Sequence, residues 1–136
     1  MELKCNKNCH SLYRLEYHLI LVTKYRRPCI TPEMMEFLSA QCRRILALSG
    51  TEVLEMNGKA DHIHLLISAP PQICLANVIN SLKTATSRLV RKQYADHLAG
   101  FYRKPYFWSR SYLILSSGGA PIEVIRRYIQ DQGKNK

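Results

Sequence analysis

Acidic side chains are scarce in this chain of 136 residues: 10 Asp and Glu stand against 20 Lys and Arg, a formal net charge of +10. The shortage is sharpest past residue 60, where only Asp61, Asp96, Glu123 and Asp131 remain. None of these is spaced to pair with another, which disfavours a catalytic centre built on clustered carboxylates. Long apolar runs are also missing. No stretch approaches the roughly 20 residues that a membrane span needs, and no signal-like apolar segment opens the chain, so a cytoplasmic protein with no membrane partner is expected. The five cysteines (Cys5, Cys9, Cys29, Cys42, Cys74) are odd in number and scattered, as reduced thiols are, and do not suggest a disulfide framework. Cys5, Cys9 and His10 cluster, but no fourth zinc ligand accompanies them. With no repeat or low-complexity tract, an apolar share of 46% and a charged share of 22% describe one globular domain over 1–136.

What is present begins with the basic surplus, which favours a polyanionic partner, nucleic acid first. Residues 1–12 are polar and read as a loose N-terminus. From Tyr13 to Arg26, aromatic and β-branched residues predict a long strand. Thr31-Pro32-Glu33 starts a helix, with Thr31 as cap, Pro32 in the first turn and Glu33 at the positive end. Met34, Met35, Leu38, Cys42, Ile45 and Leu46 follow at helical spacing, and Gly50 terminates. Thr51–Glu55 predicts a short strand, turned at Asn57-Gly58 into a hairpin with the strand that follows. A second helix runs from about Ile73 to Tyr94, a last strand from Tyr106 to Ser116, and Pro121 opens a final helix to about Gln132. Strand, helix, strand, strand, helix, strand and an appended helix make an α+β, ferredoxin-like split βαβ pattern: an antiparallel sheet with helices on one face.

The strand Asp61-His62-Ile63-His64-Leu65-Leu66-Ile67 sets two histidines two positions apart in an apolar run. Side chains alternate along a strand, so His62 and His64 share one face while Ile63, Leu65 and Ile67 take the other. Neighbouring neutral imidazoles can chelate one divalent ion. The plainer reading is two surface-facing histidines on a half-exposed sheet. Two imidazoles leave a metal under-coordinated, and the terminal helix offers further groups. Tyr128 and Gln132, four residues apart, share a helical face. A phenol is a nucleophile in need of activation, and a neutral amide carbonyl can ligate a hard cation. Spacing alone also suits Tyr128 as a packing residue.

A strand with His62-Ile63-His64 and a distant helix with Tyr128-x-x-x-Gln132 resembles the single-tyrosine HUH transposases, the small transposases of the insertion-sequence two-hundred type often called transposase A. Tyr17-His18-Leu19 through Thr23-Lys24-Tyr25-Arg26-Arg27-Pro28 is similar to that family's first strand, and Ser111-Tyr112 through Gly118-Gly119 to Gln132 to its C-terminal signature. Together these cover nearly the whole chain. The aliphatic Leu113-Ile114-Leu115 departs from the pattern without touching a reactive group.

The resemblance implies a metal-dependent enzyme that cleaves and rejoins single-stranded DNA bearing subterminal hairpins. Tyr128 is then the nucleophile that forms a 5′-phosphotyrosine link. His62, His64 and Gln132 hold Mg2+ or Mn2+, with Asp61 supporting a ligand histidine. No nucleotide cofactor is needed, the protein is a homodimer acting at the nucleoid, and Gly118-Gly119 is a hinge for a mobile catalytic helix over 120–132. DNA backbone and hairpin contacts are expected from Lys24, Arg26 and Arg27, and from Asn80, Lys83, Thr84, Ser87, Arg88 and Arg91 on the polar face of the second helix. Two rivals remain. One is a related HUH enzyme acting on repeated palindromes or as a replication nickase, separable by its cleavage substrates. The other is a non-catalytic ferredoxin-like binding module, which leaves the histidine pair and the Tyr128–Gln132 spacing unexplained.

Overall fold

The structure, a computed structural model, describes residues 6–7, 12–117 and 122–134. The expected Gly118-Gly119 hinge and the Cys5, Cys9, His10 cluster lie outside the described residues. Near the N-terminus β1 (Asn6–Lys7) pairs antiparallel with β2 (Leu12–Tyr13), and Asn6 Nδ2 donates to Ser68 Oγ at 2.9 Å. These contacts tie part of the polar opening stretch to the main sheet.

The main sheet has four antiparallel strands in the order β4-β5-β3-β6: β3 is Glu16–Val22, β4 Glu52–Lys59, β5 His62–Ser68 and β6 Leu113–Ser116. Helix α1 (Pro32–Ala47) connects β3 to β4, and α2 (Leu75–Gln93) with the short α3 (Ala95–Ala99) connects β5 to β6. This is the split βαβ arrangement that the pattern predicts. Leu19, Leu21, Ile63, Leu65 and Ile67 project from one sheet face into a fully buried core. Met34, Leu38, Cys42 and Leu46 of α1 meet them there, with Ile79, Leu82 and Val90 of α2. The final helix α4 (Ile122–Lys134) reaches β3 and the turn that follows it. Among the described residues no helix is long and apolar enough to cross a membrane.

Local chemistry sets the α1 boundaries. Thr31 Oγ1 accepts from Met34 N at 3.1 Å, Pro32 needs no amide partner in the first turn, and Gly50 closes the exit at φ +76. Inside α2, the buried Thr86 hydroxyl donates to Leu82 O and accepts from Trp108 Nε1, so its polarity is satisfied within the core.

Three boundaries differ from the sequence expectation. The first strand stops at Val22, because Lys24–Arg26 forms a single 3-10 turn with Tyr25 at φ 57, ψ 17 and Arg26 at φ 55. The hairpin does not turn at Asn57-Gly58. Gly58 pairs with Ile63 and Lys59 with His62, so the loop is Ala60-Asp61. Long-range bonds anchor that loop: Ile30 N donates to Ala60 O and Thr23 N to Asp61 O. Gly58 is needed inside the strand, where a Cβ would collide with the His62 carbonyl. The last strand is confined to Leu113–Ser116. Upstream of it only Trp108 bridges, to Thr23, through bonds from Ser109 N to Val22 O and from Lys24 N to Phe107 O, while the Arg110 carbonyl accepts from Lys83 Nζ.

Candidate active site

Strand β5 alternates between half-buried and buried residues, so His62 and His64 lie on the sheet face away from α1 and α2. Register places Ile20 opposite His64 and Val22 opposite His62, both on that same face. Antiparallel pairing also brings His18 alongside, and its Nδ1 lies 2.9 Å from His64 Nε2. One ring of that pair donates and the other accepts. His64 is held neutral: burial lowers its pKa, and charge on His18 and His62 would lower it further.

His62 is fixed differently. Its Nδ1 donates to Asp61 Oδ1 at 2.8 Å, while Arg26 Nε donates to Asp61 Oδ2 at 2.7 Å. Burial pushes the Asp61 carboxyl upward, but the hydrogen bonds and charges of Arg26 and His62 outweigh it, so the group stays below the ordinary carboxylate value. Held this way, His62 keeps the lone pair of Nε2 free for a ligand. The strained turn at Tyr25 and Arg26 is what aims the Arg26 side chain back at Asp61.

Helix α4 approaches this face. Arg126, Ile129 and Gln130 line a cavity of about 400 Å3 together with Arg26, Lys59, Asp61 and His62. Tyr128 and Gln132 contact two serines that precede β6. Tyr128 Oη donates to Ser111 Oγ at 3.2 Å, and Gln132 Oε1 accepts from Ser109 Oγ at 2.9 Å and Ser111 Oγ at 3.1 Å. Burial raises the Tyr128 phenol above its ordinary pKa, and the Ser111 bond offsets part of that rise. The structure therefore gathers His18, Asp61, His62, His64 and Arg26 in one group, and Tyr128, Gln132, Ser109 and Ser111 in another. Ser109 N bonds to Val22 O, and Val22 is the register partner of His62, so the two groups meet across β3. Among the described residues no three His, Cys, Asp or Glu side chains are grouped to hold a metal by themselves.

The expected DNA contacts divide between locations. Asn80, Thr84 and Arg88 are exposed on the outer side of α2, with Ser87 and Arg91 half-buried beside them. The sheet separates that surface from the histidines. Lys83 Nζ donates to Arg110 O at 2.6 Å and lies over the Tyr112 ring, so it ties α2 to the segment ahead of β6. Arg91 Nε bonds Ser87 Oγ. Arg27 donates to the Phe101 carbonyl, and Lys24 lies over the Tyr25 and Tyr106 rings. The sequence gives no site role to His18, Ser109 or Ser111, although His18 and Ser111 stand in segments that carry the family resemblance. The period of two could have flagged His18 only with the strand register known.

The sequence pattern described as "Transposase IS200 like" matches residues 11–132. The chain is 34% identical over 135 residues to the ISDra2 transposase TnpA of Deinococcus radiodurans, covering 97% of this chain and 94% of that one. It is 29% identical over 123 residues to the transposase for insertion sequence element IS200 of Salmonella typhimurium, covering 90% and 80%. In structure it is similar to a crystallised Deinococcus radiodurans protein, with a TM-score of 0.85, 29% identity and coverage of 93% of this chain and 97% of that one. A REP-associated tyrosine transposase bound to a REP hairpin shares the fold at a TM-score of 0.55 and 10% identity, over 91% of this chain and 68% of that one. With the match spanning both the histidine strand and the tyrosine helix, the chain belongs to the IS200-like transposase family.

Proposed function

We propose that this transposase cleaves and rejoins single-stranded DNA at hairpin-bearing insertion-sequence ends, with Tyr128 as nucleophile. The observation that carries the reading is the placement of Tyr128. It lies one helical turn from Gln132, on the helix that meets the sheet face bearing two adjacent histidines, with its hydroxyl held by Ser111. Tyr128 Oη attacks the phosphorus, the bond from phosphorus to the 3′ oxygen breaks, and the DNA 5′ phosphate is left on the tyrosine. The phenol loses one proton and the departing 3′ oxygen gains one. The phosphotyrosine link conserves the energy of the broken bond, so the reverse attack rejoins strands without a nucleotide cofactor.

A phenol must give up its proton to attack, and burial, which raises the Tyr128 pKa, opposes that loss. Ser111 accepts its hydrogen bond and donates to Gln132, fixing the direction of the hydroxyl. Asp61 orients His62, and His18 orients His64. These two imidazoles, with the Gln132 carbonyl, suit a divalent ion. The ion assigned to them is Mg2+ or Mn2+, and Gln132 joins only if its serine bonds are released. When bound, such an ion polarises the phosphate under attack. Arg88 and its exposed neighbours on α2 are assigned to the DNA backbone. The shared fold with a hairpin-bound tyrosine transposase is the reason to assign a hairpin substrate to this chain as well. A homodimer is part of the proposal, since β6 lies at a sheet edge that a second copy could extend.

The test is incubation with single-stranded element ends and Mn2+. A denaturation-resistant protein–DNA adduct is expected from the parent chain and none from Tyr128→Phe. An adduct that persists in Tyr128→Phe rejects the assignment.

A further inference from the structure

A second cavity, of about 570 Å3, lies between the Lys24–Arg26 turn and the loop from Ala99 to Tyr106. Tyr25, Phe101 and Tyr106 give it aromatic walls, and the buried Tyr102 ring adds a fourth. Arg27, Arg103 and Lys104 are exposed at its rim, and no acidic side chain lines it. Tyr106 meets both Tyr25 and Tyr102 edge-on, at centroid distances of 5.9 and 6.2 Å. Cations already use these rings: Lys24 Nζ lies 5.0 Å from the Tyr106 centroid, and the Arg27 guanidinium 5.7 Å from that of Tyr25. An interior packing cluster of this composition would be filled and covered, whereas this one encloses space within the range of small-ligand sites.

The backbone adds an independent observation. Tyr25 and Arg26 are non-glycine residues at positive φ, a conformation held at a cost and concentrated where side chains must be aimed. Consecutive residues of this turn serve two places. Tyr25 and Arg27 line the aromatic cavity, while Arg26 holds Asp61 and through it His62. Neighbouring α-carbons are about 3.8 Å apart, so this one turn borders both the aromatic cavity and the Arg26–Asp61 contact. Aromatic faces with a cationic, carboxylate-free rim match the chemistry of an unstacked base and its phosphates.

We propose that this cavity binds one unstacked nucleobase of single-stranded DNA, stacked against Tyr25 or Tyr106, with Arg103 and Lys104 on the adjoining phosphates. The proposal rests on the reading of the chain as acting on single-stranded DNA, and it adds a site apart from the Tyr128 chemistry.

The test uses the full chain and a thymidine oligonucleotide carrying 5-iodouracil, crosslinked by ultraviolet light and mapped by peptide mass spectrometry. Crosslinks are expected on Tyr25, Phe101 or Tyr106. In parallel, Tyr106→Phe should bind the unmodified oligonucleotide within about twofold of the parent, and Tyr106→Leu should bind it about fivefold or more weakly, the scale of one lost stacking contact. Crosslinks confined to other surfaces, or equal affinity of a folded Tyr106→Leu chain, overturn the proposal. If Tyr106→Leu does not fold, the crosslinks on the parent decide. Crosslinks in the cavity of a chain that forms no covalent adduct support the base site while rejecting the cleavage reading. An adduct-forming chain with crosslinks only elsewhere rejects the base site alone.

Discussion

The two faces of the four-stranded sheet are made from the same strands and do opposite work. On one face Leu19, Leu21, Ile63, Leu65 and Ile67 are sealed under α1 and α2, with no contact to solvent. On the other, His18, His62 and His64 stand half-buried among hydrogen-bonded partners, and a polar cavity opens toward α4. In β5 the two roles alternate residue by residue. A rigid, dry face lets the histidine face carry polar groups at fixed positions, because β5, which bears His62 and His64, is paired on both sides by β3 and β4.

That contrast can be broken most forcefully from the apolar side. Leu65→Ala empties a fully buried position and should lower unfolding free energy by about 2–5 kcal/mol, measured by denaturant titration. His64→Ala, one residue away on the other face, should leave the denaturation midpoint near that of the parent while cleavage is lost. Equal destabilisation by the two would mean that the faces are not divided as described.

A subtler change separates orientation from stability. Asp61→Asn removes the carboxylate shared by Arg26 and His62, and Mn2+ binding followed by electron paramagnetic resonance should weaken about 10- to 100-fold. The same pair of chains gives a pH test in EDTA. Because the folded Asp61 pKa lies below its unfolded value, its stabilisation is present above the ordinary carboxylate range and lost as pH falls through the folded value. The stability difference between parent and Asp61→Asn should therefore be level near neutrality and shrink in acid. A difference that grew in acid would contradict the assigned role.

The smallest stability effect is expected on the outer side of α2. Arg88→Ala should change stability by no more than about 0.5 kcal/mol. It should still weaken hairpin-DNA binding and reduce the single-strand salt slope by about 0.7. Lys83→Ala should also loosen the segment ahead of β6, since it removes the bond to the Arg110 carbonyl. Unchanged DNA binding by Arg88→Ala at every salt concentration would leave that surface as solvated helix.

Much of the frame was legible because its signals are local. The alternation along 61–67 announced both the buried aliphatic residues and the histidine face, and the Thr31 cap with its helical stripe located α1. The Tyr128–Gln132 spacing identified one helical face, and the structure gives both residues a shared partner in Ser111. What escaped depends on distant partners. Asn57-Gly58 has the composition of a turn, yet bonds from Thr23 and Ile30 fix the loop at Ala60-Asp61. His18 joins the histidines only through the register of β3 against β5. Lys24–Arg26 has no glycine to announce its positive φ angles, so its sequence reads as continuing strand. The occupation of Lys83 and Gln132 by the loop ahead of β6 likewise follows from tertiary packing.

Of the eight tyrosines in the chain, one phenol, that of Tyr128, is proposed as the nucleophile. The most direct measurement is to digest the covalent adduct formed on single-stranded element ends and locate the nucleotide-bearing peptide by mass spectrometry. A single modified residue is expected, Tyr128, joined to a 5′ phosphate. A nucleotide on Tyr112 or any other tyrosine, or a 3′ linkage, would contradict it.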